Sequence, residues 1–377
     1  MRLSILYLGL FILGNTLIQN ISATENNSSE WPIFRGDPQL SGTTPIRLAD
    51  KYSLAWSFNT NENIKASPVI SGGHAFIAVT DGKVYALDLA TGKQVWVFEN
   101  DYPLEASAMV ANEKVYIGSL EGIVYALDAS NGDLIWKFAT DGKIIGSVNV
   151  VGEDSKRIVF GSYDNFVYCL DGMNGSVIWK YETTNFINGT PASNGDKIVF
   201  GGCDAILHTL SASSGKKISD KNLDVYIAGS PALQNSRMYV GNYGGQMFCL
   251  DDNSGKVIWD YSRGEDSAPI VSSPAIGSSM LYIGSRDDNL YCLNKNTGRL
   301  IWNFQTQGSV DSSPVLGGNR VLTASMDGSV YILDAISGEL VWSYDVGSPI
   351  SSSPAVVTDY FLIGSQSGLL YAFRADK

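Results

Sequence analysis

The chain has 377 residues, 44% of them hydrophobic, with 39 glycines and a net charge of −12. That content supports a substantial core, built either as two ordinary domains or as one large all-β array. The acidic balance argues against a phosphate-binding footprint, which needs clustered Lys and Arg, so nucleic acid is not an expected partner.

The first element in chain order reads as an export signal. Arg2 precedes an apolar run from Leu3 to Ile18, broken by Ser4, Gly9, Gly14, Asn15 and Thr16, and Ile21-Ser22-Ala23 offers a cleavage site ending on a small residue. The run is short and interrupted for a full membrane span. Cleavage after Ala23 is therefore expected, with an uncleaved anchor as the competing reading. The mature chain then has no transmembrane span and resides in the periplasm or outside the cell. The first cysteine is Cys169, so no lipid-attachment residue adjoins the cleavage point.

After a lead-in over residues 24–51, a strand-end position recurs every 40 or 43 residues: Trp56, Trp96, Trp136, Trp179, Ser219, Trp259, Trp302 and Trp342. A fixed period of this size marks stacked supersecondary units. Each unit opens with a motif such as Ile64-Lys65-Ala66-Ser67-Pro68 and continues into a strand such as Val115-Tyr116-Ile117-Gly118. A third strand follows, as in Lys83 to Asp88, and then a Gly turn and the Trp-bearing fourth strand. Pairs such as Asp327-Gly328 and Gly244-Gly245 supply the positive φ of hairpin turns. Four strands per unit predict an all-β, eight-bladed β-propeller of antiparallel blades over residues 52–377. The chain ends exclude a linear solenoid. The last unit stops at Lys377 where its fourth strand is due, and Leu54 to Phe58 is a fourth strand with no unit before it. Pairing the two closes the ring and removes both sheet edges.

The run Ala86-Leu87-Asp88…Gly92…Trp96, repeated as Ala126-Leu127-Asp128…Gly132…Trp136 and more loosely in five further copies, resembles the tryptophan-docking motif of pyrroloquinoline-quinone (PQQ) type propellers. Trp31-Pro32-Ile33-Phe34-Arg35-Gly36 is similar to the lead-in of exported PQQ-like repeat proteins. The resemblance implies that Trp56, Trp96, Trp136, Trp179, Trp259, Trp302 and Trp342 stack between neighbouring blades. It covers PQQ-dependent alcohol and sugar dehydrogenases and also non-enzymatic BamB-type scaffolds of outer-membrane protein assembly. Fold does not choose between them. The lipid-attachment cysteine of the BamB pattern is missing here.

Slots that differ between blades locate the candidate binding face. At the tip of the loop between second and third strands the residues are Thr80, Leu120, Tyr163, Cys203, Tyr243, Arg286, Met326 and Gln366. At the channel mouth they are Lys65, Glu105, Ile145, Asn188, Ala228, Val271, Asp311 and Ser351. Tyr163, Phe186, Tyr226 and Tyr243 group on this face around blades three to five, and Arg286 and the longer loop bearing Arg263 adjoin them. Aromatic and Arg side chains presented this way suit a protein or peptide partner, with the envelope assembly machinery as the partner the resemblance implies. Neutral drift of unconstrained loops is the competing account.

Lys65, Glu105, Asn188 and Asp311 are candidate ligand residues for a small molecule or glycan at the mouth. PQQ chemistry needs a divalent cation such as calcium on hard oxygens and a carboxylate base. Glu105, Asn188 and Asp311 belong to blades two, four and seven, and the adjacent-cysteine pair of many family dehydrogenases is absent. The expectation is a non-catalytic chain with no cofactor, with a PQQ- and calcium-dependent dehydrogenase as the alternative. His74 and His208 are the two histidines, too few for a multi-histidine metal site. His208 fills a slot held by Tyr168 and Tyr291 elsewhere, so packing is expected of it. Cys169, Cys249 and Cys292 share one slot of three blades, too far apart to bridge, so free thiols are expected.

Overall fold

The computed structural model describes residues 29–152 and 155–376. The signal segment lies outside the described residues. Blade one shows the plan: Val69–Ser71, His74–Ala78, Lys83–Asp88 and Gln94–Glu99, each antiparallel to the next. Eight such sheets form the ring. Blade eight closes it as the chain ends require. Its strands Ala355–Val357, Tyr360–Gly364 and Leu369–Ala375 take Tyr52–Asn59 as their fourth, in register from Tyr52 opposite Ala375 to Asn59 opposite Leu369.

Each outer strand carries a bulge beside the tryptophan slot. In blade one Ala86 faces Trp96 but Leu87 faces Gln94, leaving Val95 unpaired and exposed. A bulge disturbs the outer ladder, which discourages further strand addition. The indole then lies over a glycine of the next blade. Added Cβ atoms at Gly92, Gly132 and Gly175 would come within 2.8 Å of Trp56, Trp96 and Trp136. Each docked ring also donates Nε1 to the carbonyl just after the turn Asp, Asn or, in blade four, Ser211, for example Trp56 to Leu89 at 2.9 Å and Trp259 to Lys295 at 2.9 Å. Six tryptophans dock in this way. Trp342 does not, because among the described residues the third strand of blade eight, Leu369–Ala375, is followed by no glycine turn for it to cover. It packs instead against Tyr52, Tyr344, Phe361 and Phe373.

Ser219 leaves the interface of blades four and five without an indole. The carbonyl due to receive it, that of Asp252, is taken by the Lys197 ammonium at 3.2 Å, which also reaches the Asp252 carboxylate at 2.9 Å. That blade edge is therefore tied by a lysine from a different strand. The four cysteines are free thiols, three of them buried.

The lead-in is part of the ring's interior. Its backbone carbonyls accept the N–H of one equivalent inner-strand position after another: Trp31 from Ile70, Pro32 from Val110, Pro38 from Ser193, Gln39 from Leu233, Ser41 from Ile276 and Gly42 from Leu316. Thr43–Thr44 then adds a parallel strand to blade seven. Blade three is passed over, and there Val150 N–H bonds the Asn149 side chain. Between Pro32 and Pro38 the segment makes a tight turn, with Gly36 N–H on the Ile33 carbonyl and Arg35 and Gly36 at φ 69° and 89°. Gly36 is required there, since a Cβ would meet the Trp31 ring at 2.8 Å. The turn carries Phe34 to the floor of the channel mouth and buries Arg35 completely.

Candidate functional site

The start of each inner strand builds the mouth. A hydroxyl residue precedes the strand in every blade, and its oxygen accepts the backbone N–H of the equivalent residue one blade earlier. Ser67 donates to Ser107, Ser107 to Ser147, Ser147 to Thr190 and Thr190 to Ser230. Ser230 donates to Ser273, Ser273 to Ser313, Ser313 to Ser353, and Ser353 back to Ser67 at 2.8 Å. The eight bonds form a closed circle around the axis. Sequence reasoning passed over this column, although a hydroxyl in all eight copies was a visible signal. These residues, together with Phe34 and the mouth slot from Lys65 to Ser351, line one cavity of about 250 Å³.

Lys65, Glu105, Asn188 and Asp311 therefore do meet around one opening. Their chemistry is already committed to neighbours. Lys65 Nζ lies 2.6 Å from Glu105 Oε1. Arg286 clasps Asp311 through Nε at 3.0 Å and Nη2 at 2.8 Å. Asn188 accepts from the Tyr163 hydroxyl and donates to Cys203 Sγ at 3.1 Å. A calcium ion needs six to eight oxygens that are free to converge. Here each mouth carboxylate faces a cation from its own rim, so the donor set does not fit that ion or a base beside a quinone. Among the described residues no cluster of three His, Cys, Asp or Glu side chains is placed to hold a metal.

The aromatic residues form two stacked pairs rather than one cluster. Tyr163 lies on Phe186 with centroids 4.7 Å apart and planes 2° from parallel. Tyr226 lies on Tyr243 at 4.4 Å and 26°. Arg286 extends the second pair, with its guanidinium 5.8 Å over the Tyr243 ring and Nη1 on the Tyr243 hydroxyl. Phe186 is 43% and Tyr226 36% exposed, so each pair keeps one ring open to solvent. Arg263 sits apart, held by Asp287 at 2.9 Å and the Tyr291 hydroxyl at 3.0 Å.

The histidines are structural in placement. His208 is 3% exposed and lies between Asp204 and Asp220, with ring nitrogens 3.0 and 2.9 Å from their carboxylates. It stands where Tyr168, Tyr291 and Tyr331 bond Asp164, Asp287 and Asp327 in other blades. His74 begins the second strand of blade one and edges a groove on the opposite face with Phe76, Val110 and Glu113. Among the described residues no helix is long and apolar enough to cross a membrane.

No curated protein matches the sequence significantly. The crystal structure of BamB from Moraxella catarrhalis is similar at a TM-score of 0.73 and 17% identity, over 86% of this chain and 98% of that one. Quinohemoprotein alcohol dehydrogenase from Comamonas testosteroni is similar at a TM-score of 0.80 and 13% identity, over 93% and 81%. The computationally designed Ika8 protein is similar at 0.74 and 14%, over 84% and 97%. At these identities the likenesses show the fold alone. The family profile described as outer membrane protein assembly factor BamB matches residues 49–142, 120–218, 203–276 and 265–377, so the chain belongs to that family of PQQ-like β-propellers.

Proposed function

We propose that the chain is an exported, non-catalytic scaffold that binds a protein partner through its mouth face, in the assembly of outer-membrane proteins. The observation that carries this reading is the pair of aromatic stacks at the loop tips. Each stack sets two rings face to face and leaves one of them, Phe186 or Tyr226, open to solvent. Preordered aromatic rings beside an Arg are the composition of interface anchors. The family match and the pairing of every mouth carboxylate with a base both favour a scaffold over a quinone enzyme.

The test is a variant carrying Tyr163→Ala and Tyr243→Ala, used as bait beside the native chain in a native envelope extract. A partner captured by the native chain is expected to be lost from the variant at unchanged melting temperature. Equal capture by both would remove the aromatic stacks from the account. Calcium-dependent reduction of a dye with an alcohol, after addition of PQQ, would overturn the non-catalytic reading.

A further inference from the structure

The channel holds hydrogen-bond donors that the scaffold itself does not spend. A hydroxyl has one donor and two acceptor sites. Each member of the Ser/Thr circle accepts a backbone N–H, but none gives its proton to an acceptor among the described residues. All eight line the mouth cavity. Ring closure thus leaves an annulus of unspent O–H groups facing one small space.

Behind the floor of that space lies a buried cation with no direct ion pair among the described residues. Arg35 is 1% exposed and makes a single hydrogen bond, from Nη2 to the carbonyl of Pro274 at 3.0 Å. Pro274 adjoins Ser273 of the circle, which places the guanidinium just below the hydroxyls. Its Nε and Nη1 have no partner among the described residues. Asp37, the carboxylate nearest in effect, is engaged by the Ser41 hydroxyl and N–H instead. Burial draws the Arg35 pKa down to about 9, against the opposing pull of Asp37, so the charged form is only partly compensated. A buried unpaired cation is costly, and a nearby anion reduces that cost.

We propose that the mouth cavity binds a carboxylate group, seated among the circle hydroxyls over Phe34 and balanced by the buried charge of Arg35. A sugar would use the same hydroxyls but would leave the cation uncompensated, which is why an anion is favoured. Glu105 and Asp311 do not repel it strongly, because Lys65 and Arg286 already neutralise them. Arg35 is buried and does not line the cavity, so it acts through its field in a low-dielectric interior, where charge is weakly screened. A cavity of about 250 Å³ admits the carboxylate end of a small acid or of a polypeptide. This inference does not rest on the partner-binding reading.

Isothermal calorimetry on the full chain tests it with four probes: acetate, inorganic phosphate, N-acetyl-Ala-Ala, and the same dipeptide amidated at its C-terminus. The dipeptide acid is expected to bind at least tenfold more tightly than its amide. Acetate competing for the site assigns it to small acids, and binding by the dipeptide acid alone assigns it to chain termini. Arg35→Met is expected to weaken the acid tenfold or more while raising the melting temperature, since an apolar chain of similar length removes the unpaired charge. Ala228→Asp, on the cavity wall and outside the circle, is expected to abolish binding by repulsion and serves if Arg35→Met fails to fold. Absence of heat with both acids, equal affinity for acid and amide, or phosphate binding as tightly as carboxylate would each overturn the proposal. So would an affinity that neither variant changes.

Discussion

Replacing Trp179 by Ser reproduces at the edge of blade three what nature did at Ser219. Trp179 is 9% exposed, donates Nε1 to the Ala212 carbonyl at 3.1 Å and covers Gly215, whose added Cβ would lie 2.6 Å from the ring. An indole buries about 200 Å², worth ~5 kcal/mol at ~25 cal/mol per Å² as an upper bound. The lost hydrogen bond adds about 1 kcal/mol, and partial collapse of the slot returns some of the total. Truncations of buried aromatic residues cost about 3–5 kcal/mol, and about 4 kcal/mol is expected here. At ~2 °C per kcal/mol for a large domain, differential scanning calorimetry should show a fall of about 8 °C. The converse, Ser219→Trp, should gain only about 1–2 kcal/mol on the same area scale, because Lys197 already holds the Asp252 carbonyl and Ser219 Cβ already rests 3.5 Å from the position of a Gly255 Cβ. A loss below 1 kcal/mol for Trp179→Ser, or a fall in stability for Ser219→Trp, would refute the view that indole-on-glycine docking joins the blades.

Three further outcomes follow from the same structure. Hydrogen bonds from Thr91 and Ser130, through hydroxyl and N–H alike, hold the Asp88 and Asp128 carboxyls below their usual value. A depressed native pKa stabilises above the unfolded value of about 4 and loses that contribution as pH falls through the native one. Melting temperature should therefore stay level from pH 7 to 5 and drop below pH 4, with a shallower drop in Asp128→Asn. Burial pushes the thiols of Cys169 and Cys292 up to about 12 and that of Cys249 to about 11. Titration with a thiol reagent should find at most Cys203 reactive in the native protein and all four after denaturation. Gly42→Val should destabilise severely, because residue 42 has φ 63° and a Cβ there overlaps the Arg35 guanidinium. Limited proteolysis is expected to release the lead-in of that variant first.

The ring was legible because its logic is periodic. One residue type at one interval gave blade number, and the unmatched strand at Leu54 to Phe58 gave closure. The mouth slot was legible for the same reason, since all eight residues read from it line one cavity. What the sequence hid was pairing between unlike segments. Nothing local in Trp31 to Gly42 says that its carbonyls will meet inner strands up to blade seven, because the ring itself creates that proximity. Lys197 standing in for an indole was hidden likewise, as the two come from different strands of blade four. The aromatic residues form two stacks, a division that depends on loop geometry which residue identity does not carry. Trp342 was grouped with its fellows by register, and the missing turn in blade eight shows why it packs differently.

On the proposed reading the mouth face, and not the face of the glycine turns, meets the partner. Lysine-directed crosslinking with mass spectrometry in intact envelopes reads this directly. Lys65 and Lys143 lie on the mouth face, whereas Lys93, Lys216 and Lys256 lie in the opposite turns, and Lys143, Lys93, Lys216 and Lys256 are all exposed. Partner crosslinks concentrated on Lys65 and Lys143, and lost in the Tyr163→Ala, Tyr243→Ala variant, are predicted. Crosslinks confined to Lys93, Lys216 and Lys256 would contradict the claim.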